Sequence, residues 1–244
     1  MRTALKVAVV LALILVVVAL MLVRDGERII PRGEGKVELD VGEFEAFPLP
    51  DYAAAAVSDD YKSYFIEVEP GIKIHVLEIG QGYPVYLQHG NPTTGLLYRK
   101  VAELLPLDRV RVIMPTMVGL GFSTKVPASE HTLDNHMRWM NRVLTTLDLT
   151  EAVYAGQDWG GPVGMGALSL SPGVLKGVLV MNTGFRAPRK PMDLSRAHAL
   201  VKTPLVGELV VEALSPVFFT RLAQVQGDPA TMPPEVMDLY RRPL

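Results

Sequence analysis

The sequence predicts an α/β fold, a mostly parallel sheet with helices on both faces, and three observations carry that reading. From about residue 62, short apolar segments bounded by turn residues alternate with amphipathic segments, as in a sheet covered on both sides. A glycine-flanked turn, Gly156-Gln157-Asp158-Trp159-Gly160, joins one such strand to a small-residue helix. After Asn182 the alternation stops and Pro-separated helical patterns take over.

Taken in order, the chain begins with an uninterrupted apolar run from Val7 to Val23, preceded by Arg2 and Lys6 and followed by Arg24. As a helix this run is about 25 Å long. Snorkelling of Lys6 draws Ala4 and Leu5 inward, toward the roughly 20 residues that cross a bilayer. The reading is a single-pass anchor over 1–24, in the membrane through 4–23; a cleaved signal peptide is the rival, without a small-x-small site to support it. Positive residues flank both ends and leave the orientation open. Residues 25–60 are charged and Gly/Pro-punctuated and read as a tether.

The core is expected over 61–183. Ser63 to Glu69 and Lys73 to Glu78 flank Pro70-Gly71 as a hairpin, and Pro84 to Leu87 is a buried strand. A helix near Leu96 to Leu105, a strand at Val110 to Met114, a helix from Leu133 to Leu147 and a strand at Ala152 to Ala155 follow. Beyond the glycine turn come a helix from Gly161 to Leu170 and a strand at Gly177 to Met181. Residues 184–244 are expected as a helical cap, with helices around Met192 to Val201, Gly207 to Leu214, Pro216 to Gln224 and Pro234 to Tyr240.

Composition excludes several classes. A net charge of -2 gives no basic field for a phosphate backbone, so no nucleic-acid partner is expected. The absence of cysteine removes disulfides, thiolate metal sites and a cysteine nucleophile together. None of the five histidines has metal-ligand spacing, and neither a metal nor a cofactor is expected.

The glycine turn is where chemistry is expected. In a strand-turn-helix elbow the central residue sits on a strained turn at the C-terminal edge of the sheet, and flanking glycines spare a clash between strand and helix. Asp158 takes that place, and a carboxylate held there can attack carbon; capping of the helix near Gly160 is the bland alternative. His89-Gly90-Asn91-Pro92 follows the strand Pro84 to Leu87 with Gln88 between, where hydrolases with such an elbow carry an oxyanion loop. Gly119-Leu120-Gly121-Phe122-Ser123 is a weaker loop signal. Trp139 reads as core, and His198 as a surface or packing residue of the cap.

With Tyr98-Arg99, the Gly119 to Ser123 loop and Gln157-Asp158-Trp159-Gly160-Gly161, these motifs resemble the haloalkane dehalogenases of the α/β-hydrolase superfamily, over about residues 44–244. The resemblance implies an α/β-hydrolase fold with a helical cap and hydrolysis of small apolar haloalkanes by water. Asp158 would displace the halide to form an alkyl-enzyme ester, with Trp159 and Asn91 donating hydrogen bonds to the leaving ion. Thr116 stands where the family usually has aspartate. The family's base histidine, supporting acid and last two strands follow the cap, and the chain stops at Leu244 before them. The expectation is a C-terminally truncated chain, crippled in turnover, with the strand at Gly177 to Met181 an open edge. Two alternatives stand beside it: an epoxide hydrolase, disfavoured by Asn91 and by Tyr240 as the lone tyrosine beyond the elbow, and a non-catalytic, membrane-tethered binding protein. No Gly-x-Ser-x-Gly occurs, so a serine esterase is not expected.

Overall fold

The computed structural model describes residues 26–184 and 228–243, with isolated positions between them. The apolar run 4–23, His198 and, isolated positions aside, the cap helices expected between 192 and 224 lie outside the described residues. Among the described residues no helix is long and apolar enough to cross a membrane. The chain divides into two compact units, Glu27–Ala187 with Pro234–Leu244, and Met1–Gly26 with Pro188–Pro233. The first unit holds the sheet.

Eight described strands form that sheet: β1 (Lys36–Leu39), β2 (Gly42–Ala46), β3 (Lys62–Glu69), β4 (Ile72–Gly80), β5 (Tyr83–Gln88), β6 (Val110–Pro115), β7 (Ala152–Gln157) and β8 (Leu175–Met181), in the order β1-β2-β3-β4-β6-β5-β7-β8. The α-helices whose bounds lie among the described residues are a single turn α1 (Asp51–Ala54), then α2 (Arg99–Glu103), α3 (Leu133–Thr146), α4 (Gly160–Ser169) and α5 (Pro234–Arg241). β6, β5, β7 and β8 pair in parallel, while β1 through β4, and β4 with β6, pair antiparallel. The expected mostly parallel sheet is therefore mixed. The reason lies in the connections: β3 and β4 are joined by a tight turn at Gly71, and a short turn joins only antiparallel neighbours.

Period-two alternation sorts each strand between two cores. Ile72, Ile74 and Val76 of β4 and Ile113 of β6 face the side covered by Trp139, Met140, Val143 and Leu144 of α3 and Val163 of α4. Leu77 and Ile79 of β4 and Val112 and Met114 of β6 face the other side, with Ala53, Ala102 and Leu239 from α1, α2 and α5. Helices thus cover both faces, as expected. Buried Glu78 joins strands across this sheet: Arg111 on β6 donates to both its oxygens at 2.9 and 2.8 Å, and the Tyr64 hydroxyl on β3 donates at 2.7 Å.

Two segment boundaries differ from expectation. Residues read as a tether carry β1, β2 and α1; Phe44 packs on Tyr64 with ring centroids 5.4 Å apart, and Ala53 is fully buried. Their charges misdirect the reading because Lys36, Glu38 and Glu43 lie on the exposed side of an edge ribbon, where charge guards against further pairing. Likewise Pro234–Arg241, expected in the cap, belongs to the sheet unit, with Leu239 and Tyr240 buried. An amphipathic pattern states that one helix face is covered, not by what.

Among the described strands β8 lies at the end of the sheet. Among the described residues its partner is β7, and Val178 and Leu179, which point to opposite faces, are 51% and 56% exposed.

Candidate active site

β7 ends at Gln157 and α4 begins at Gly160, so the direction of the chain reverses across Asp158 and Trp159. The turn takes Asp158 to a φ of 53°, a left-handed conformation that costs a non-glycine residue about 1–3 kcal/mol. Asp158 is not spent on capping: Trp159 is the N-cap of α4 and no side chain caps it. Instead the Asp158 carboxylate crosses to the loop after β5 and accepts the Asn91 backbone N–H at Oδ1, 2.8 Å away. Close approach of the two loops depends on Gly90, where a Cβ would fall inside the Asp158 side chain.

The loop is held from beneath by His89. The Met117 N–H donates to His89 Nε2 at 3.0 Å, which assigns the proton to Nδ1 and makes that nitrogen the donor to the Gly90 carbonyl at 2.8 Å. Burial pushes this imidazole down to about 4, against the Gly90 carbonyl and the Asp158 charge. His89 is therefore a neutral brace with both nitrogens engaged. The Tyr98 hydroxyl donates to the Gln88 carbonyl at 3.0 Å, and the Asn91-Pro92 peptide bond is cis.

Thr116, in place of the acid that the resemblance leads one to expect, braces the next loop. Its hydroxyl accepts the Gly95 N–H at 3.0 Å, and its carbonyl accepts the Ser123 hydroxyl at 2.7 Å.

Two cavities meet at Trp159, which is 50% exposed. One, of about 490 Å³, has Asn91, Val118, Leu120, His136 and Val163 among its walls. The other, of about 230 Å³, is lined by Asp158, Pro162, Asn182, Thr183 and Gly184 besides Trp159. The larger cavity, mostly apolar, suits a small apolar ligand, and the Asp158 carboxylate lines the smaller one on the other side of Trp159.

Sequence reasoning places Asp158, Trp159, His89, Gly90, Asn91 and Pro92 as a site, and the fold brings these residues together. It misses two features. His131 Nδ1 and His136 Nε2 lie 3.1 Å apart as a hydrogen-bonded pair in the wall of the larger cavity, and the Thr183 hydroxyl donates to the Asp158 carbonyl. Spacing of five residues across a helix start hides the first, and no local signal marks the second. Among the described residues no three acidic or imidazole groups converge on a common point for a metal.

Comparison with known proteins places this architecture. The α/β hydrolase fold family matches residues 83–227, more than half of the chain, and the protein belongs to that family. Among its curated relatives, a cis-3-alkyl-4-alkyloxetan-2-one decarboxylase of Shewanella oneidensis is 32% identical over 172 residues, 68% of this chain and 52% of that protein. Haloalkane dehalogenase 2 of Mycobacterium bovis is 35% identical over 113 residues, 46% of this chain and 39% of that protein. The crystal structure of the haloalkane dehalogenase DatA from Agrobacterium tumefaciens matches at 28% identity and a TM-score of 0.66, covering 78% of this chain and 64% of that one. The chain thus spans about half the length of the curated relatives it matches.

Proposed function

We propose that the protein is a haloalkane dehalogenase-like hydrolase in which Asp158 attacks a saturated carbon bearing a halide. The observation that carries this reading is the pairing of Asp158 Oδ1 with the Asn91 N–H at 2.8 Å, which leaves Oδ2 as the attacking oxygen. The new C–O bond forms as the carbon–halogen bond breaks, and the halide leaves with the bonding electron pair. The Trp159 indole N–H and the Asn91 side chain receive its charge, which develops in the transition state, where fixed donors act most strongly. The Asn91 backbone amide has a second use. When water attacks the alkyl ester, charge gathers on Oδ1, already hydrogen-bonded.

Hydrolysis of that ester requires a base. Among the described residues His75 is sealed in the core against Ser63 Oγ at 2.9 Å, His89 is committed to its loop, and His131 and His136 bind one another. With none of these four histidines free to activate water, halide release by these 244 residues is proposed to stop near one equivalent, as a hydrolase without a working base turns over several powers of ten more slowly. Incubation of the 244-residue chain with excess 1-bromobutane tests this. One equivalent of bromide with a butyl adduct on Asp158 is expected, nothing from Asp158→Asn, and roughly 100-fold slower release from Trp159→Phe. Steady multiple turnover by the wild-type chain would refute the single-turnover limit.

A second reading rests on the oxetanone decarboxylase, 32% identical over 68% of this chain. An oxetan-2-one also offers Asp158 a saturated carbon with a leaving group, the ring carboxylate. Alkene and carbon dioxide from a cis-dialkyl oxetan-2-one, without halide release from 1-bromobutane, would select it. Residues 4–23 are proposed as the membrane anchor, tested by whether their deletion frees the chain from sedimented membranes.

A further inference from the structure

β7 and β8 run parallel, and their last paired residues are Gln157 and Met181, so the chain leaves both strands side by side. Both exits take the same step. Asp158 has a φ of 53° and Asn182, the next residue beyond the neighbouring strand, a φ of 45°. Thr183 then turns back, and its Oγ1 donates a hydrogen bond to the Asp158 carbonyl. The Gly161 N–H donates to that same carbonyl at 3.1 Å. Room for the hydroxyl exists because residue 161 is glycine: a Cβ there would coincide with the Thr183 side chain.

A left-handed backbone at a non-glycine residue persists only where its surroundings over-determine it. We infer that Thr183 is a positioning residue for the Asp158 nucleophile, an inference that rests on the alkylation reading above. Its hydroxyl ties down the Asp158 peptide unit from the neighbouring strand exit, while the Asn91 N–H ties down the carboxylate. With both ends held, Oδ2 has one direction in which to attack. Without the hydroxyl only the Gly161 N–H holds that carbonyl, the tie to the neighbouring strand exit is lost, and the carboxylate samples a wider range of directions. Thr183 lines the smaller cavity, but its hydroxyl proton is already donated to the Asp158 carbonyl and is not offered to substrate, so loss of the hydroxyl is read in the rate of attack.

Single-turnover bromide release from 1-bromobutane, read over a range of substrate concentrations, separates these roles for wild type, Thr183→Val and Thr183→Ser. Thr183→Val is expected to lower the saturating rate constant roughly 10- to 100-fold, the scale of a misaligned reacting group. The half-saturating concentration, the final one equivalent of bromide and the melting temperature stay close to wild type. Thr183→Ser, which keeps the hydroxyl, restores the rate. An unchanged rate constant in Thr183→Val, or a serine variant no faster than the valine one, overturns the assignment. So does a loss confined to melting temperature and bromide yield, the signature of a merely structural role. Absence of bromide and adduct in the wild-type chain itself overturns the alkylation reading, and this inference with it.

Discussion

Asp158 owes its geometry to residues whose own side chains are small or absent. Gly90 lets the loop after β5 close onto the carboxylate, and Gly161 lets Thr183 reach the carbonyl. Gly90→Ala places a methyl group where the Asp158 side chain lies and must push either loop away. The expected result is loss of alkylation by at least about 100-fold, with the far-ultraviolet circular dichroism unchanged, because a displacement near 1 Å is enough for that loss. Full-rate adduct formation in this variant would mean that the Asn91–Asp158 contact is dispensable. His89 illustrates a different point at the same scale: a histidine beside the Asp158 carboxylate looks like a base, yet both its nitrogens are bound to the backbone.

At the scale of elements, α5 and β8 carry contrasting predictions. Tyr240 is buried on the sheet unit and its hydroxyl accepts from Arg99 Nη1 at 3.4 Å. If α5 is part of that core, Tyr240→Ala costs about 3–5 kcal/mol, the price of emptying an aromatic site, measured by urea denaturation. A loss below about 0.5 kcal/mol would place the residue on the surface. β8 presents Val178 and Leu179, on opposite faces, to solvent at the end of the sheet. An exposed apolar edge recruits further strands, and lysine blocks such pairing. Light scattering after size exclusion should show concentration-dependent self-association of the chain, reduced in the Val178→Lys, Leu179→Lys variant. Equal association of both proteins would remove the edge as its cause.

For the whole molecule, buried histidines couple stability to pH. Burial holds His75 down to about 3 and His89 and His136 down to about 4, each below the ordinary 6.5. Below about pH 6.5 the unfolded chain takes up protons that the folded one refuses. The stabilisation these groups provide is therefore complete above that pH and is lost as pH falls toward 3 to 4. His75 alone accounts for about 1.4 kcal/mol per pH unit in that window. Melting temperature should decline steadily from pH 6.5 to pH 4.5, and a flat profile would show that these imidazoles can charge in place.

The sequence by itself determined the fold family, the order of the β3-to-β8 strands along the chain, and which two turns, after β5 and after β7, to look at together. Those features are local: apolar periodicity, and glycines at fixed offsets from Asp158, survive in one dimension because the turn and its chemistry lie within a few residues. What covers each apolar face was decided only in three dimensions. Charged residues 36–46 read as a tether because an edge ribbon and a solvated linker share a composition, and the pairing of Glu45 with Phe65 is what separates them. Helix α5 read as cap because amphipathicity does not name a partner. Thr183 went unseen for the same reason, its bond to Asp158 spanning 25 residues of sequence and existing only through the register of β7 with β8.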